Sequence, residues 1–315
     1  MNLHKDIEHL PQFRKAVITI GTFDGVHLGH QQIIAQMKSE AARIGGETVI
    51  ITFHPHPRRV VHADQDVKLI TTIEERIELL SAAGIDHLVI VPFTHMFSEL
   101  EPREYVETFL KKRCNPAVVI IGYDHKFGKG RKGDYKLLEE YSAKGYFELK
   151  EIPQHVINHI TVSSTQIRGY ILKGEIGKAN ELLGYDFSFE GMVVKGDQLG
   201  RKLGFPTANI QLLSSEKIVP GNGIYAVLTE IAKNKNNPLF GGMMSIGVRP
   251  TVAEGKARTI EVNIFNFNED IYGENIRVFV KAFIRPELKF SGLDELTAAI
   301  QKDKESSLAL LKNNP

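Results

Sequence analysis

The sequence has 315 residues, of which 42% are hydrophobic and 24% charged, with a formal net charge of +1, which indicates a globular protein of two domains. The balanced charge argues against nucleic-acid binding, and Cys114, the single cysteine, excludes disulfide frameworks and thiolate metal clusters. The chain shows no apolar segment of a signal peptide or a membrane span, so we expect a cytoplasmic protein that does not bind membranes.

The N-terminal half opens with a strand, a glycine loop and a helix. Residues 17–20 are apolar and β-branched, the loop of residues 21–30 (the first glycine loop) follows, and a helical pattern covers about 29–43. A helix N-terminus presents unpaired N–H groups and a partial positive charge, so this loop suits a phosphate. Three glycines would let that phosphate approach the backbone closely. They are Gly21, Gly25 and Gly29.

Two histidines give this loop a particular chemistry. His27 and His30 lie three residues apart at the junction between loop and helix. Both imidazoles can donate hydrogen bonds to the charge that develops during phosphoryl or nucleotidyl transfer. The alternative is that they are capping or surface residues, which the agreement of strand, glycines and helix disfavours.

Strands and helices alternate through the rest of this half. Buried strands are predicted at residues 48–53, 85–91 and 117–121, and helices at 72–83 and 101–112. This order is typical of an open, mostly parallel α/β sheet whose ligand site lies at the carboxyl ends of the strands.

Three further segments of this half carry polar groups, the first two of them near those strand ends. His54 and His56 flank a proline, but neither carboxylate nor cysteine joins them at ligand spacing, which argues against zinc. Residues 122–134 formally match GxGxxG, yet the glycines start several residues after the strand, so a dinucleotide fingerprint is disfavoured; a solvated basic loop stays open. Ser164, Thr165 and Arg168 begin another helix, where hydroxyls cap the helix and the arginine suits an anion.

From about residue 187 the pattern changes to short alternating runs separated by turns, which is typical of antiparallel structure. A small closed barrel followed by a helix from about residue 293 is the expected arrangement. We therefore predict domains at 1–184 and 185–315. The predicted strands are residues 189–195, 223–231, 239–246, 259–267 and 275–283.

A second glycine loop, residues 196–209, follows the first predicted strand of this barrel. Glycines recur at intervals of four, with basic residues between the second and third, which suits phosphate binding through backbone N–H groups. Thr207 and Asn209 offer neutral oxygens suited to Mg²⁺. Glu261 alternates with Ile260 and Val262 on a predicted strand, where it is either a solvated residue or a general base.

These motifs together resemble the bacterial bifunctional riboflavin kinase/FAD synthetases. The first glycine loop is similar to their HxGH signature, Phe53–Pro57 to a segment near the nucleotide, and residues 163–168 to a motif that closes over it. The loop from residue 122 resembles another family motif, with His125 in place of the usual phenylalanine. The resemblance implies that His27 and His30 are catalytic and that the nucleotide and flavin contacts are Gly21, Phe23, Asp24, Gly25, Gly29, His56, Asp124, Ser164, Thr165 and Arg168.

The second half carries the same resemblance. Residues 204–209 are similar to the riboflavin kinase signature, and residues 285–290 to the end of the kinase barrel; Asn263 and Asn266 depart from the common histidine and aspartate. The resemblance implies that Glu261 is the base and that Thr207 and Asn209 bind the metal. The implied substrate contacts are Gly196, Gly200, Arg201, Gly204, Pro206, Thr207, Asn209 and Arg285.

The implied fold is an N-terminal Rossmann-like HxGH nucleotidyltransferase domain with a C-terminal riboflavin kinase barrel and a terminal helix. The implied function is phosphorylation of riboflavin to FMN and adenylyl transfer from ATP to FMN, which gives FAD, with Mg²⁺ as cofactor. The expected partners are these small molecules, and the chain is expected to be a monomer or a weak homo-oligomer. Two alternatives stay open: a nucleotidyltransferase with another acceptor, and a barrel that binds flavin without catalysis.

Overall fold

The computed structural model describes residues 1–61, 67–122, 125–152, 162–196, 199–232, 238–249 and 257–313. Contacts between Cα atoms divide the chain into two compact units, Met1–Ser164 and Thr165–Pro315, here unit 1 and unit 2.

Unit 1 is built on a six-stranded sheet in which each neighbouring pair of strands is parallel. Its strands are β1 (Asn2–His4), β2 (Val17–Ile20), β3 (Thr48–His54), β4 (His87–Pro92), β5 (Val118–Ile121) and β6 (Glu148–Glu151). Its helices are α1 (Leu28–Ile44), α2 (Pro57–Val61), α3 (Ile73–Ala82), α4 (His95–Ser98), α5 (Pro102–Glu104) and α6 (Tyr135–Ala143), with a π-helix at Tyr105–Cys114 and a 3₁₀ turn at Lys129–Arg131.

The strand order is β1-β4-β3-β2-β5-β6. The chain leaves β2 to build β3 and β4 on one side and returns to build β5 and β6 on the other. The order therefore reverses beside β2, and in open parallel sheets ligands bind at such a switch point, outside the carboxyl ends of the strands. The first glycine loop begins at this point.

The sheet is buried on both faces. Ile18, Ile20 and other residues of one face pack against the π-helix and α6, whereas Val17 and its neighbours on the opposite face pack against α1 and α3. This double burial explains why the central strands are wholly apolar runs, since full burial of one Val, Ile or Leu side chain contributes about 1.5–3 kcal/mol.

Most predicted elements of unit 1 are confirmed. Helix α1 ends where expected, with Gly45 in the left-handed region at φ 62. The predicted helix at 101–112 is instead the short α5 followed by the π-helix. Strands β1 and β6 were not predicted, because an edge strand has one neighbour and does not need an apolar sequence; residues 148–151 read ELKE.

Unit 2 is a closed antiparallel barrel with the strand order β10-β11-β8-β7-β12-β9. Two helices, α7 (Ser164–Lys173) and α8 (Ile176–Leu183), precede it, α9 (Leu199–Lys202) interrupts it, and α10 (Leu293–Asn313) packs on β9, β10 and β12. The strands are β7 (Ser188–Val194), β8 (Ala208–Leu212), β9 (Gly223–Ile231), β10 (Leu239–Arg249), β11 (Ala257–Ile264) and β12 (Asn275–Arg285).

The predicted barrel and terminal helix are confirmed, but closure needs a sixth strand. Strand β8 lies between β7 and β11, and its first residues, Ala208 and Asn209, belong to the stretch that the sequence presents as a loop. The pattern of buried and half-buried residues in β7 alternates with period two, so Phe189 and Val193 face the core.

Candidate active sites

The first glycine loop has an unusual backbone. Phe23, Gly25 and Val26 adopt positive φ angles of 50, 85 and 35. Glycine accepts this conformation readily, but a β-branched residue such as Val26 rarely does. Residues held in such conformations cluster at binding and catalytic sites and persist only where the surrounding structure fixes them.

The two histidines of this loop lie against each other. His27 caps α1, since its Nδ1 accepts a hydrogen bond from the backbone N–H of His30 at 3.4 Å. The two rings stack with centroids 3.7 Å apart and planes 17° apart, and the Phe23 ring lies 4.6 Å from that of His30. Gly29 permits this packing, because a Cβ there would come within 3.2 Å of Nδ1 of His27. The loop therefore presents two imidazoles at the start of a 17-residue helix.

The environment of His30 favours its neutral form. Burial lowers the pKa of His30 well below its ordinary value, and His27 and the Arg76 guanidinium lower it further. Within the described residues, Nδ1 of His30 is buried and has no hydrogen-bond partner. A neutral imidazole can donate one hydrogen bond to a phosphate oxygen without transferring a proton.

Asp24 lies in the interior. Its carboxylate accepts hydrogen bonds from the backbone N–H groups of Ile70 (3.2 Å) and Thr71 (3.0 Å) and lies 3.9 Å from the guanidinium of Arg76. The Asp24 side chain is fully buried. It thus ties the loop to the segment before α3.

Among the other predicted residues with described positions, the structure brings Ser164 to the first glycine loop and gives the rest separate surroundings. The Ser164 hydroxyl donates to the Asp24 carbonyl at 2.9 Å, which brings Ser164 to the first glycine loop. Gly21 donates its N–H to Ile51 at the end of the β2–β3 pairing. His56 is buried, and its Nδ1 accepts the Arg58 N–H at 3.2 Å. Thr165 and Arg168 belong to unit 2, on α7. The prediction for Asp124 lies outside the described residues.

In unit 2, the second glycine loop meets strand β11. The Thr207 hydroxyl donates to Oε2 of Glu261 at 3.0 Å, and Asn209 lies directly opposite Glu261 in the β8–β11 pairing. Asn263, also on β11, donates to the Pro206 carbonyl at 2.7 Å. The structure therefore gathers neutral oxygens, an amide and a carboxylate at one place.

Two glycines of this loop leave room for those side chains. A Cβ at Gly196 would collide with the carboxamide of Asn209, and a Cβ at Gly200 would collide with the Phe205 carbonyl. Gly204 has a φ of 81, which favours glycine. Gly196 and Gly200 are thus required by close approaches of other groups, and Gly204 is favoured by its backbone conformation.

A cleft opens beside Thr207. Its lining includes three residues of the second glycine loop, Arg201, Pro206 and Thr207. It also includes Glu269, Asp270 and Tyr272, which the sequence did not predict because they lie in a turn without a motif. Its apolar lining includes Val193, Val262 and Ile264. Such a mixture of apolar walls and a few polar groups is typical of a small-molecule site.

Arg285 lies elsewhere on the barrel. Its Nε and one terminal nitrogen donate to both carboxylate oxygens of Asp303 on α10, at 2.8 and 2.6 Å, and its other terminal nitrogen donates to the Pro286 carbonyl at 2.9 Å. The observed role of Arg285 is to hold the terminal helix, so its predicted substrate contact stays a prediction.

In the parts of the chain with described positions, no cluster of three or more His, Cys, Asp or Glu side chains could hold a metal ion. Cys114 is buried, and burial raises the pKa of its thiol to about 12. No helix in those same parts has the length and apolar character needed to cross a membrane.

The first unit is a parallel sheet with a histidine-bearing glycine loop at its switch point, and the second is a barrel with an oxygen-lined cleft. This combination is typical of a two-domain enzyme of phosphorus transfer. Comparison with protein families gives a more specific assignment: residues 9–166 match the FAD synthetase family and residues 183–311 the riboflavin kinase family. The chain belongs to the family of bifunctional riboflavin kinase/FMN adenylyltransferases, and it is a transferase with a kinase domain and a nucleotidyltransferase domain.

Individual relatives agree with this family. The bifunctional riboflavin kinase/FMN adenylyltransferase of Listeria monocytogenes is 39% identical over 93% of this chain and 91% of its own, and that of Escherichia coli K12 is 33% identical over 96% of each. Among solved structures, the crystal structure of a macrolide-efflux protein from Streptococcus pneumoniae matches with a TM-score of 0.84 and 30% identity over 97% of each chain. The efflux activity in that name refers to the Streptococcus protein.

Proposed function

We propose that the two reactions of the family are divided between the two halves of the chain. The barrel phosphorylates riboflavin to FMN, and the parallel sheet transfers the adenylyl group of ATP to FMN, which gives FAD and pyrophosphate. The observation that carries this proposal is that each family match contains one candidate site: residues 9–166 hold His27 and His30, and residues 183–311 hold Thr207 and Glu261. Riboflavin, FMN and ATP are then the small-molecule partners.

In adenylyl transfer, a phosphate oxygen of FMN attacks the α-phosphorus of ATP, and pyrophosphate leaves with the electron pair of the broken bond. His27 and His30 donate hydrogen bonds to the phosphate oxygens as charge builds on them, and the N-terminus of α1 adds its own N–H groups. Since the pKa of His30 is lowered, its imidazole is neutral at pH 7 and acts as a hydrogen-bond donor. Gly21, Gly25 and Gly29 give the phosphates access to the backbone.

The other predicted residues of this site take supporting parts in the proposal. Ser164, bonded to the Asp24 carbonyl, and Asp24 itself keep the loop in place. Phe23 packs against the His30 ring. Thr165, Arg168, His56 and Asp124 keep the nucleotide and flavin contacts that the resemblance implies.

In the kinase reaction, the Glu261 carboxylate accepts the proton of the riboflavin 5′-hydroxyl while that oxygen attacks the γ-phosphorus of ATP, and ADP leaves. Thr207 orients the carboxylate by its hydrogen bond to Oε2, and Asn263 fixes the loop through the Pro206 carbonyl. Gly196, Gly200, Arg201 and Gly204 surround the phosphates, and the cleft beside Thr207 holds part of the substrate.

The same residues fit a magnesium ion. Thr207 and Asn209 supply hard neutral oxygens, and the missing Cβ of Gly196 leaves space for the Asn209 carboxamide. We assign these two side chains as its protein ligands. When bound, Mg²⁺ would neutralise charge on the nucleotide phosphates.

We propose a functional boundary between residues 184 and 185. Helix α8 ends at Leu183, Gly184 terminates it with a φ of 76, and the riboflavin kinase match begins at residue 183. The division by contacts falls earlier, after Ser164, because α8 packs on β12 and the Gly221 N–H donates to the Ile171 carbonyl of α7. We further propose a cytoplasmic monomer or weak homo-oligomer, in which the buried Cys114 stays reduced.

A time course tests the proposed function directly. Purified protein is incubated with riboflavin, ATP and Mg²⁺, and riboflavin, FMN and FAD are resolved by chromatography. FMN should appear first and FAD after it. If FMN accumulates without FAD even when FMN is supplied, the first half uses another acceptor; if FAD forms only from supplied FMN, the barrel is a flavin-binding module.

A further inference from the structure

Arg76 of α3 is a buried arginine that belongs to none of the motifs described above. Only 2% of it is exposed. Its guanidinium lies 3.9 Å from the carboxylate of Asp24, which is fully buried, and donates to the Thr52 hydroxyl and the Thr71 carbonyl at 3.4 Å each. Burying such a pair costs free energy, so its presence beneath a functional loop calls for an explanation.

The residues that Arg76 contacts also hold the first glycine loop. The Thr52 hydroxyl donates to the Thr22 carbonyl at 3.1 Å, and the Thr71 hydroxyl accepts the Gly25 N–H at 3.0 Å. Asp24 accepts two backbone N–H groups from the segment before α3. Arg76 therefore lies at the centre of the contacts between this loop, β3 and α3.

The loop needs such support because of its backbone. Phe23, Gly25 and Val26 have positive φ angles, and such conformations persist only where the surroundings over-determine them. The two histidines proposed as catalytic follow directly; the His30 ring stacks on His27 and lies at a tilt against Phe23. A relaxed loop would displace both imidazoles.

We propose that Arg76 is a positioning residue for adenylyl transfer. It acts through Asp24, Thr52 and Thr71, and the groups that it places are His27 and His30. This inference rests on the adenylyltransferase role proposed for these histidines.

The charge of Arg76 has a second effect on the same site. The titratable or charged groups that act on His30 are His27 of its own loop and Arg76 of α3, and Arg76 in turn lies 3.9 Å from the Asp24 carboxylate. Arg76 and His27 both lower the pKa of His30, after burial. Removing the arginine charge should therefore raise that pKa, which a purely steric role would not do.

Three variants separate these effects: Arg76→Met, Arg76→Lys, and the double variant Asp24→Asn with Arg76→Met, in which both charges are gone. Each is tested in the full chain for FMN adenylylation and riboflavin phosphorylation, and His30 is titrated by NMR without substrate. Arg76→Met should lower kcat for adenylylation about 10- to 100-fold, since small displacements of catalytic groups have effects of this size, and should spare phosphorylation. The His30 pKa should rise in Arg76→Met and return towards wild type in Arg76→Lys.

If Arg76→Met does not fold, the double variant tests the positioning role, because the double variant leaves no unpaired buried charge. Low adenylylation in a folded double variant supports positioning of the loop by the pair of Arg76 and Asp24, whereas wild-type kcat in it overturns the proposal. An unchanged His30 titration in folded Arg76→Met also overturns it. Arg43→Met, which removes an exposed arginine of α1, should leave kcat for adenylylation and the His30 pKa at their wild-type values. Should the wild-type chain not adenylylate FMN, the proposed function fails; should His30→Ala retain adenylylation, the role of His30 fails. In both cases the NMR titration still reports on Arg76 independently.

Discussion

The hydroxyl of Thr207 donates a hydrogen bond to the carboxylate of Glu261 at 3.0 Å, although the two residues are 54 positions apart in the chain. The pairing of β8 with β11 brings them together and places Asn209 opposite Glu261. A residue of the second glycine loop thereby fixes the carboxylate that we propose as the base. This contact links the second glycine loop to the proposed proton acceptor within one half of the molecule.

Replacing Glu261 with Gln should therefore separate the two activities. We expect kcat for riboflavin phosphorylation to fall by about 10²- to 10⁴-fold, because general-base catalysis contributes on this scale. Adenylylation of supplied FMN should stay at wild type, since unit 1 does not use this residue. Both are measured by chromatography of the flavins, with Glu230→Gln on β9 as a matched control. Equal losses of both activities would instead indicate misfolding.

The close approach of Asn209 to Gly196 predicts that one added methyl group damages the kinase. In Gly196→Ala the new Cβ would collide with the Asn209 carboxamide, so Asn209 must move. We expect riboflavin phosphorylation to fall about tenfold and its Mg²⁺ requirement to rise, since displaced ligands bind the metal less well. A Mg²⁺ titration of initial rates checks this. Gly292→Ala serves as control, because a Cβ there meets nothing within 4 Å; equal effects of the two variants would refute the explanation.

His30 should be required for adenylyl transfer and dispensable for folding. We expect His30→Ala to lower the rate of FAD formation from FMN by at least about 100-fold, the effect of losing one hydrogen-bond donor in a transition state. Riboflavin phosphorylation by the same preparation should be unchanged. His95→Ala, at an exposed histidine of unit 1, controls for the substitution itself. Retained FAD formation in His30→Ala would remove His30 from the mechanism.

Glu40 should make the stability of unit 1 depend on pH under acidic conditions. It accepts hydrogen bonds from Arg43 (3.1 Å) and from Lys150 on β6 (2.7 Å). These contacts, that of Arg43 first, lower the pKa of Glu40 from 4.5 to about 2. Since the folded pKa is lower than the unfolded one, this stabilisation is present above pH 4.5 and is lost as the pH falls towards about 2.

Glu40→Gln should therefore lose less free energy of unfolding than the wild type as the pH falls from 4.5 to about 2. Urea unfolding at several pH values measures the slope for the variant and the wild type. Glu139→Gln, which removes an exposed carboxylate of α6, should keep the wild-type slope. A slope that Glu40→Gln does not change would mean that the exposed part of this network is screened by solvent.

The pair of Arg285 and Asp303 should stabilise the terminal helix. Asp303 is 4% exposed and accepts two hydrogen bonds from the guanidinium. Asp303→Ala leaves that guanidinium without its carboxylate, so we expect unfolding of unit 2 to become easier by about 2–3 kcal/mol. Thermal unfolding measures this, together with kcat and KM of the kinase below the transition. An unchanged Tm with a raised KM would favour the substrate contact that the sequence resemblance implies for Arg285.

Much of the fold could be predicted because its signals are local. Helix α1 and its Gly45 cap, the buried central strands and the alternating strands of the barrel all follow from periodicity over a few residues. The elements that were missed lack such signals. Strand β6 is polar because it lies at an edge, and β8 is short and directly continues a glycine loop. The π-helix replaces a predicted α-helix without a distinguishing sequence pattern.

By itself, the sequence determined which residues lie next to one another in each loop: His27 and His30 at a helix start, and Thr207 and Asn209 after a run of glycines. Such neighbours are recognisable because spacing along the chain fixes their local geometry. Only the tertiary structure decided that Thr207 bonds to Glu261 and that Arg76 lies beneath Asp24. Those contacts depend on which strands pair and on which helix covers the loop. Such long-range packing produces no periodic pattern in the sequence around the contacting residues.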